Sequence, residues 1–359
     1  MTISSILTRI NNNQYYLNGN YLVFYDYLGE TQYKRCLRVN EDLIADFPDS
    51  IDLKITNKCN YGCPYCHEKS IPNGKSFNFN NTIEILKQLP KVPIEIAIGG
   101  GNVLDIPDDT IKLINWCNNY GFKTRITINQ KDVKKFIVKS SKTSIEEETA
   151  SSEEISIRDI AHNIGGVGIS LDPDLLPSTK LNPFESYKYY ILYTDKDRDR
   201  DKKIYNILRD KCLVFHIIAG LFPIDKLKLL LNKQNLTSIN NLLILGYKQF
   251  GRASNTDLPE SLPEFEKVIK EFITDCRNDY IYKFNIAFDN LALEQLHLKD
   301  FITKDDWDYL YLGKEGDCSM YIDAVEETYA RSSTSLNRVS WKNIGLLDYF
   351  KSLRNENNN

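Results

Sequence analysis

Three cysteines stand at spacings of three and two residues in Cys59-Asn60-Tyr61-Gly62-Cys63-Pro64-Tyr65-Cys66. Thiolates this close in sequence can converge on one metal centre. A [4Fe–4S] cube normally takes four thiolates, one per iron. Three would leave one iron open, and an open coordination position separates a catalytic metal from a structural one. The other reading of the same donors is a zinc site with His67 as the fourth ligand. Structural zinc ligands usually come as two separated pairs, however, and His67 follows Cys66 directly. A disulfide is disfavoured by the tightness of the loop and by a start, Met1 to Ile10, that lacks a signal-peptide core. Gly62 permits a tight turn, Pro64 biases the backbone before it away from helix, and Tyr65 offers an aromatic face on which a flat cofactor ring could lie.

The loop must be held by something, and the flanking pattern says what. Ile51-Asp52-Leu53-Lys54-Ile55 alternates apolar and polar residues and predicts a short strand leading into the cysteines. A helix is predicted over 81–89, with Ile83, Leu86 and Leu89 on one face. Ile94-Glu95-Ile96-Ala97-Ile98 then predicts a second strand, ending in Gly99-Gly100-Gly101-Asn102. A glycine run at a strand end bares backbone groups for close approach by a ligand. Strands are also predicted at 124–128 (ending in Asn129), 167–172, 213–220 (containing His216) and 242–247, the last followed by Lys248-Gln249-Phe250-Gly251-Arg252. Strands alternating with helical stretches imply a parallel sheet with right-handed crossovers, and its strand C-terminal ends are where α/β barrels place their chemistry.

The C-x3-C-x2-C spacing with an aromatic before the last cysteine resembles the signature of the radical S-adenosylmethionine (SAM) superfamily, and the likeness spans residues 50 to 255. It implies Cys59, Cys63 and Cys66 as ligands of one [4Fe–4S] cluster whose open iron is chelated by the amino and carboxylate groups of SAM. Reductive cleavage of SAM then gives a 5′-deoxyadenosyl radical that abstracts hydrogen from a substrate. The family's second strand ends in Gly-Gly-Glu-Pro, whose backbone binds the SAM amino group. Here Gly101 stands for the glutamate and Asn102 for the proline, so the family's carboxylate is missing. Asn129 resembles the Thr-Asn-Gly ending of the third strand, and Ser170-Leu171-Asp172 the Ser-Leu-Asp ending of the fourth. The resemblance implies SAM contacts at Tyr65, Gly99, Gly100, Gly101, Asn129, Ser170, His216 and Tyr247.

The expected fold is α/β, a partial (β/α)6 TIM-like barrel with an N-terminal β-meander and a small α+β C-terminal extension. The expected boundaries are 1–48, 49–255 and 256–359. The first 48 residues alternate aromatic and polar residues around an Asn18-Gly19 hairpin dipeptide. They either cap the barrel bottom or offer an edge strand to a peptide. Residues 139–154 and 194–203 are polar and charged runs with no assigned role. In the last hundred residues a helix over 262–276, a strand over 282–288 and a hairpin around Cys318 to Ser333 resemble the SPASM extension of peptide-modifying radical SAM enzymes. Asn290, Ser332 and Ser333 fall where that module would carry auxiliary-cluster cysteines.

Composition narrows the rest. Hydrophobic residues are 42% and charged residues 26%, ordinary for a globular protein, and the net charge of −4 gives no strong nucleic-acid signal. No membrane span is expected, and a reducing cytoplasm makes the eight cysteines metal ligands and buried thiols. A substrate radical must be quenched, coupled or oxidised. Cys318 is the candidate hydrogen-atom donor, and Lys248 and Asp289, at predicted strand ends, are candidates to orient substrate or move protons. The expected partners are a peptide or protein substrate and an electron donor such as flavodoxin or ferredoxin. Two other readings stay open: a nucleotide or small-metabolite substrate, and a non-catalytic, metal-stabilised interaction module.

Overall fold

The computed structural model describes residues 8–10, 13–26, 31–38, 41–133, 159–172, 212–231, 241–278, 285–311 and 313–355. The two polar runs at 139–154 and 194–203 lie outside the described residues.

All six strands expected between 50 and 250 are present. They are β5 (Ser50–Thr56), β6 (Glu95–Gly100), β7 (Lys123–Asn129), β8 (Gly166–Ser170), β9 (Cys212–Ile218) and β10 (Asn241–Leu245), each pairing its neighbour in parallel. In β5, Ile51, Leu53 and Ile55 are buried in the core, together with Leu86 and Leu89 from the helical segment after the cysteine loop. Asp52 and Lys54 therefore point to the opposite, concave side. The helix Phe79–Leu86 is capped by Asn78, whose side chain accepts from the Asn81 N–H. It stops short of the expected 89 because Pro90 disfavours helix in the residue before it. The helix Pro107–Tyr120 starts on proline and ends on Gly121 at φ 109°, the positions where each residue is most at ease.

The C-terminal part adds strands to the same sheet. β11 (Asn285–Phe288) pairs in parallel with β10, and β12 (Ser319–Asp323) pairs in parallel with β5 on the other side. One ten-stranded sheet thus runs β11-β10-β9-β8-β7-β6-β5-β12-β13-β14, with β13 (Thr328–Ala330) and β14 (Val339–Ser340) antiparallel at its end. Among the described residues eight consecutive strands of the sheet, from β11 to β12, pair in parallel around the lumen, and no pairing between them closes the barrel. The expected boundary at residue 255 is crossed by hydrogen-bonded strands.

The N-terminal meander is a sheet of its own, in the order β1 (Thr8–Ile10), β2 (Asn13–Asn18), β3 (Tyr21–Asp26), β4 (Thr31–Cys36). The hairpin dipeptide is shifted by one residue. Asn18 pairs with Tyr21, leaving Gly19-Asn20 as the two-residue loop, with Gly19 at φ 60°. The shift frees the Asn18 amide to donate to Asp49, just before β5. Asp49 also accepts from the Tyr21 hydroxyl and pairs with Lys34 at 3.0 Å. These contacts seat the meander against the N-terminal ends of β5 and β12.

Candidate active site

The cysteine loop leaves the C-terminal end of β5 and folds against strand ends on both sides. Cys59, Cys63 and Cys66 are free, half-buried thiols. Burial holds the Cys59 thiol above its ordinary pKa. The Cys66 N–H donates to the Cys63 carbonyl at 3.2 Å and the Cys59 N–H to the Ile71 carbonyl at 2.9 Å, so the loop is turned and tied at its base. Gly62 sits at φ 63°, and a Cβ there or at Gly99 would meet nothing within 4 Å. Backbone at both positions is therefore open to an approaching group. Among the described residues, no set of three or more His, Cys, Asp or Glu converges on a single-ion position. A cube engages its thiolates at separate iron corners, so three thiols spread along one open loop fit it by donor type and placement. His67 turns instead to Glu68, its Nε2 3.4 Å from Oε1.

The glycine run explains its own departure from the family pattern. The Gly101 N–H donates to the Thr56 carbonyl at 2.6 Å and the Asn102 N–H to the Lys58 carbonyl at 2.7 Å. A Cβ on Gly101 would lie 2.2 Å from the Lys58 oxygen, so no side chain fits. Gly100, at φ 111°, is equally tight against the Thr56 carbonyl. Asn102 is buried, accepts from the Leu104 N–H and donates to Asp132 at 3.0 Å. Burial and then a hydrogen bond to Asp132 push the Tyr61 phenol up in pKa, so Asn102, Asp132 and Tyr61 link β6, the end of β7 and the cysteine loop.

Strand register brings three of the expected SAM contacts into one row: Asn129 lies beside Ser170, and Ser170 beside His216. The His216 ring lies over Gly168, where a Cβ would stand 2.4 Å from Cε1. Burial holds this imidazole down at about 4, neutral at physiological pH. Tyr65 is 38% exposed and reaches toward Cys63 and Asp172; burial first, then the neighbouring Cys63 and Asp172 side chains, pushes its phenol to about 12. Tyr247 is placed differently. It is buried, its hydroxyl is 2.8 Å from that of Thr256, and its N–H donates to Gln295.

The three candidates for later steps part company. Lys248 reaches across the barrel mouth and donates to Ser333 Oγ at 2.9 Å. Asp289 caps the helix Asn290–Gln295, its Oδ1 accepting from the N–H groups of Ala292 and Gly246, which is a structural commitment. Cys318 requires a correction. It precedes β12 at the end opposite the cysteine loop, buried against Tyr21 at 3.6 Å. Five residues of strand separate it from Asp323, whose partner in register is Lys54. At ~3.3 Å per residue that is roughly 16 Å, too far for hydrogen transfer at the cysteine face.

Several groups escaped sequence reasoning. Lys54 pairs with Glu68 at 2.8 Å and with Asp323 at 3.0 Å, all three side chains at most 7% exposed. Tyr321 donates to Glu68 and Arg338 pairs with Asp323, so two residues after Cys66 the loop is locked to the β12–β13 hairpin. Asp52 is exposed to solvent in the lumen yet ringed by protein, with Lys248, Glu315, Glu95 and Asp289 as its charged neighbours; the loss of surrounding water pushes its carboxyl up to about 6. Because folding raises this pKa, ionisation opposes folding, an effect complete above about 6 and gone below 3.8. Asp52→Asn is therefore expected to raise the melting temperature at pH 7.5 and to lose that advantage as pH falls to 3.8, which thermal melts at the two pH values check. A depression of about 590 Å3, lined by Pro263, Glu266, Lys270 and Phe301 among others, holds the Lys270–Glu266 ion pair and none of the candidate residues.

The sequence matches the Radical SAM superfamily over residues 53–150. No curated protein sequence matches the chain. Among solved structures it is similar to SuiB of Streptococcus suis bound to precursor peptide SuiA, at 12% identity and TM-score 0.54, covering 96% of this chain and 88% of that one. SuiB alone gives 13% identity and TM-score 0.51 over the same shares. SuiB bound to S-adenosylmethionine gives 14% identity and TM-score 0.50, covering 86% of this chain and 66% of that chain. At such identities the likeness speaks for the fold, including the strands beyond residue 255. No helix among the described residues is long and apolar enough to cross a membrane. The matched segment contains the three cysteines, the glycine run and β7, so residues 53–150 match a radical SAM superfamily domain, a family whose members use one [4Fe–4S] cluster and S-adenosylmethionine.

Proposed function

We propose that the chain is a radical SAM maturase of a ribosomally made peptide, introducing a crosslink, an epimerised residue or a similar change. Cys59, Cys63 and Cys66 would hold the cluster, and the open backbone at Gly99 with the row Asn129, Ser170 and His216 would receive SAM. When bound, the cluster would supply the single electron for reductive cleavage of SAM, and SAM the radical chemistry that removes hydrogen from the substrate. His216, neutral and desolvated, offers a hydrogen-bonding nitrogen without adding charge beside a sulfonium. Lys248 and the hairpin it meets at Ser333 close over the mouth, where a substrate would enter. On this reading the hairpin is a SPASM-like scaffold, and a flavodoxin or ferredoxin delivers the electron.

The observation that carries the peptide reading is the fold shared over 96% of this chain with SuiB in its precursor-peptide complex. The test uses anaerobically reconstituted protein, dithionite and SAM with synthetic peptides encoded by reading frames flanking the gene. A peptide that raises 5′-deoxyadenosine yield and itself changes mass or stereochemistry is the expected result. Stimulation by nucleosides or small metabolites, with no response to any flanking peptide, would overturn the peptide assignment.

A further inference from the structure

The cysteine loop is gripped by residues remote from it in sequence. After β10 the chain turns at Gly251, φ 68°, and packs so closely on the loop that a Cβ there would lie 2.2 Å from the His67 oxygen and 2.5 Å from the Cys66 oxygen. The next residue is Arg252. Its N–H donates to the Cys66 carbonyl at 3.0 Å. Its Nε donates to the Cys63 carbonyl at 2.7 Å and its Nη1 to the Ser70 carbonyl at 2.7 Å. One residue thus fastens two of the three cysteines and the far end of the loop, and the guanidinium fork spans the turn in a way no single-point donor could. Among the described residues no carboxylate pairs with Arg252, so its charge is set against the carbonyl oxygens of Cys63 and Ser70, on the loop that carries the thiols.

We propose that Arg252 is the positioning residue of the cluster: it sets the spacing of Cys63 and Cys66 and supplies a fixed cation beside the bound iron. The proposal rests on the assignment of the cysteines to a [4Fe–4S] cluster. Two consequences follow from the geometry. Without the fork the loop loses two side-chain hydrogen bonds that hold its ends together, and cluster uptake falls. Without the cation the more negative, reduced cluster is less favoured, because net charge and hydrogen bonding near the sulfurs set the potential of such clusters.

The experiment compares wild type, Arg252→Met and Arg252→Lys after anaerobic reconstitution, reading iron and sulfide per chain and the midpoint potential by EPR-monitored titration. Arg252→Met is expected to hold at most half the wild-type iron, and its residual cluster to have a more negative midpoint. Arg252→Lys, which keeps the charge and loses the fork, is expected to lose iron while restoring the midpoint. Wild-type iron stoichiometry together with an unshifted midpoint in Arg252→Met would overturn the proposal. If Arg252→Met fails to fold by circular dichroism, Arg252→Lys decides: reduced iron supports the clamp, and wild-type iron overturns it. A wild-type protein that takes up no cluster at all would contradict the cluster assignment itself, a separate outcome.

Discussion

Gly101→Glu, which supplies the glutamate that the family carries at this position, is expected to damage the cluster site rather than complete it. The segment Thr56–Lys58 leads directly into Cys59 and lies against Gly101 and Asn102 through hydrogen bonds of 2.6 and 2.7 Å. A Cβ at 101 would stand 2.2 Å from the Lys58 oxygen and 2.9 Å from its carbonyl carbon. Both obstacles are backbone, so relief requires moving residues 57 and 58, and Cys59 with them. Overpacking of this kind costs about 1–3 kcal/mol or more, enough to lower Tm by several degrees. The cluster should suffer more than stability, because its first ligand is displaced. Gly101→Ala carries the same clash and is expected to show the same loss of iron, which separates the steric cause from any effect of added charge. Wild-type iron content and Tm in Gly101→Glu, with unchanged or tighter SAM binding, would show that the segment can move and that the glycine merely replaces a lost ligand.

Lys54→Met should be the most destabilising single change in the lumen. It removes the shared cation of a buried triad and leaves Glu68 and Asp323, 6% and 2% exposed, without their common partner. Breaking a buried pair this way costs about 3–5 kcal/mol, and a urea unfolding curve measures it. The double variant Lys54→Met/Glu68→Met should lose less than the sum of the single variants, because no orphaned carboxylate remains at 68. Burial alone would raise the Glu68 pKa, but the hydrogen bond to His67 and the Lys54 ammonium outweigh it and hold the carboxyl at about 2. A carboxyl depressed from 4.5 by folding stabilises fully above 4.5 and loses that contribution as pH falls toward 2. The stability gap between wild type and Lys54→Met should therefore narrow below pH 4.5. A gap that stays constant with pH would place the effect in packing.

Local pattern carried the barrel strands. Ile51, Leu53 and Ile55 alternate because one face of β5 is core and the other is lumen, and the glycines after Ile98 mark a strand end that touches another backbone. The same pattern could not reveal where β11 and β12 would dock. Whether 319–323 lies alone or beside β5 depends on a partner 269 residues away, as in the Lys54–Asp323 contact. That docking also decides Cys318, since a thiol before β12 falls at the far end of the sheet once β12 runs parallel to β5. Arg252 was visible only as one residue in a polar run after β10; its contact with Cys63 spans 189 residues. Tyr247 follows a strand that was legible, but its buried side chain and its hydroxyl contact with Thr256 depend on neighbours that local pattern does not name.

The measurement that reaches the central claim most directly is an EPR spectrum of anaerobically reconstituted, dithionite-reduced protein, recorded with and without SAM. The account predicts one reduced [4Fe–4S] signal that shifts when SAM is added, and its loss when Cys59, Cys63 and Cys66 are replaced by serine. Protein that retains zinc and takes up no iron, or a cluster whose signal is indifferent to SAM, would contradict it.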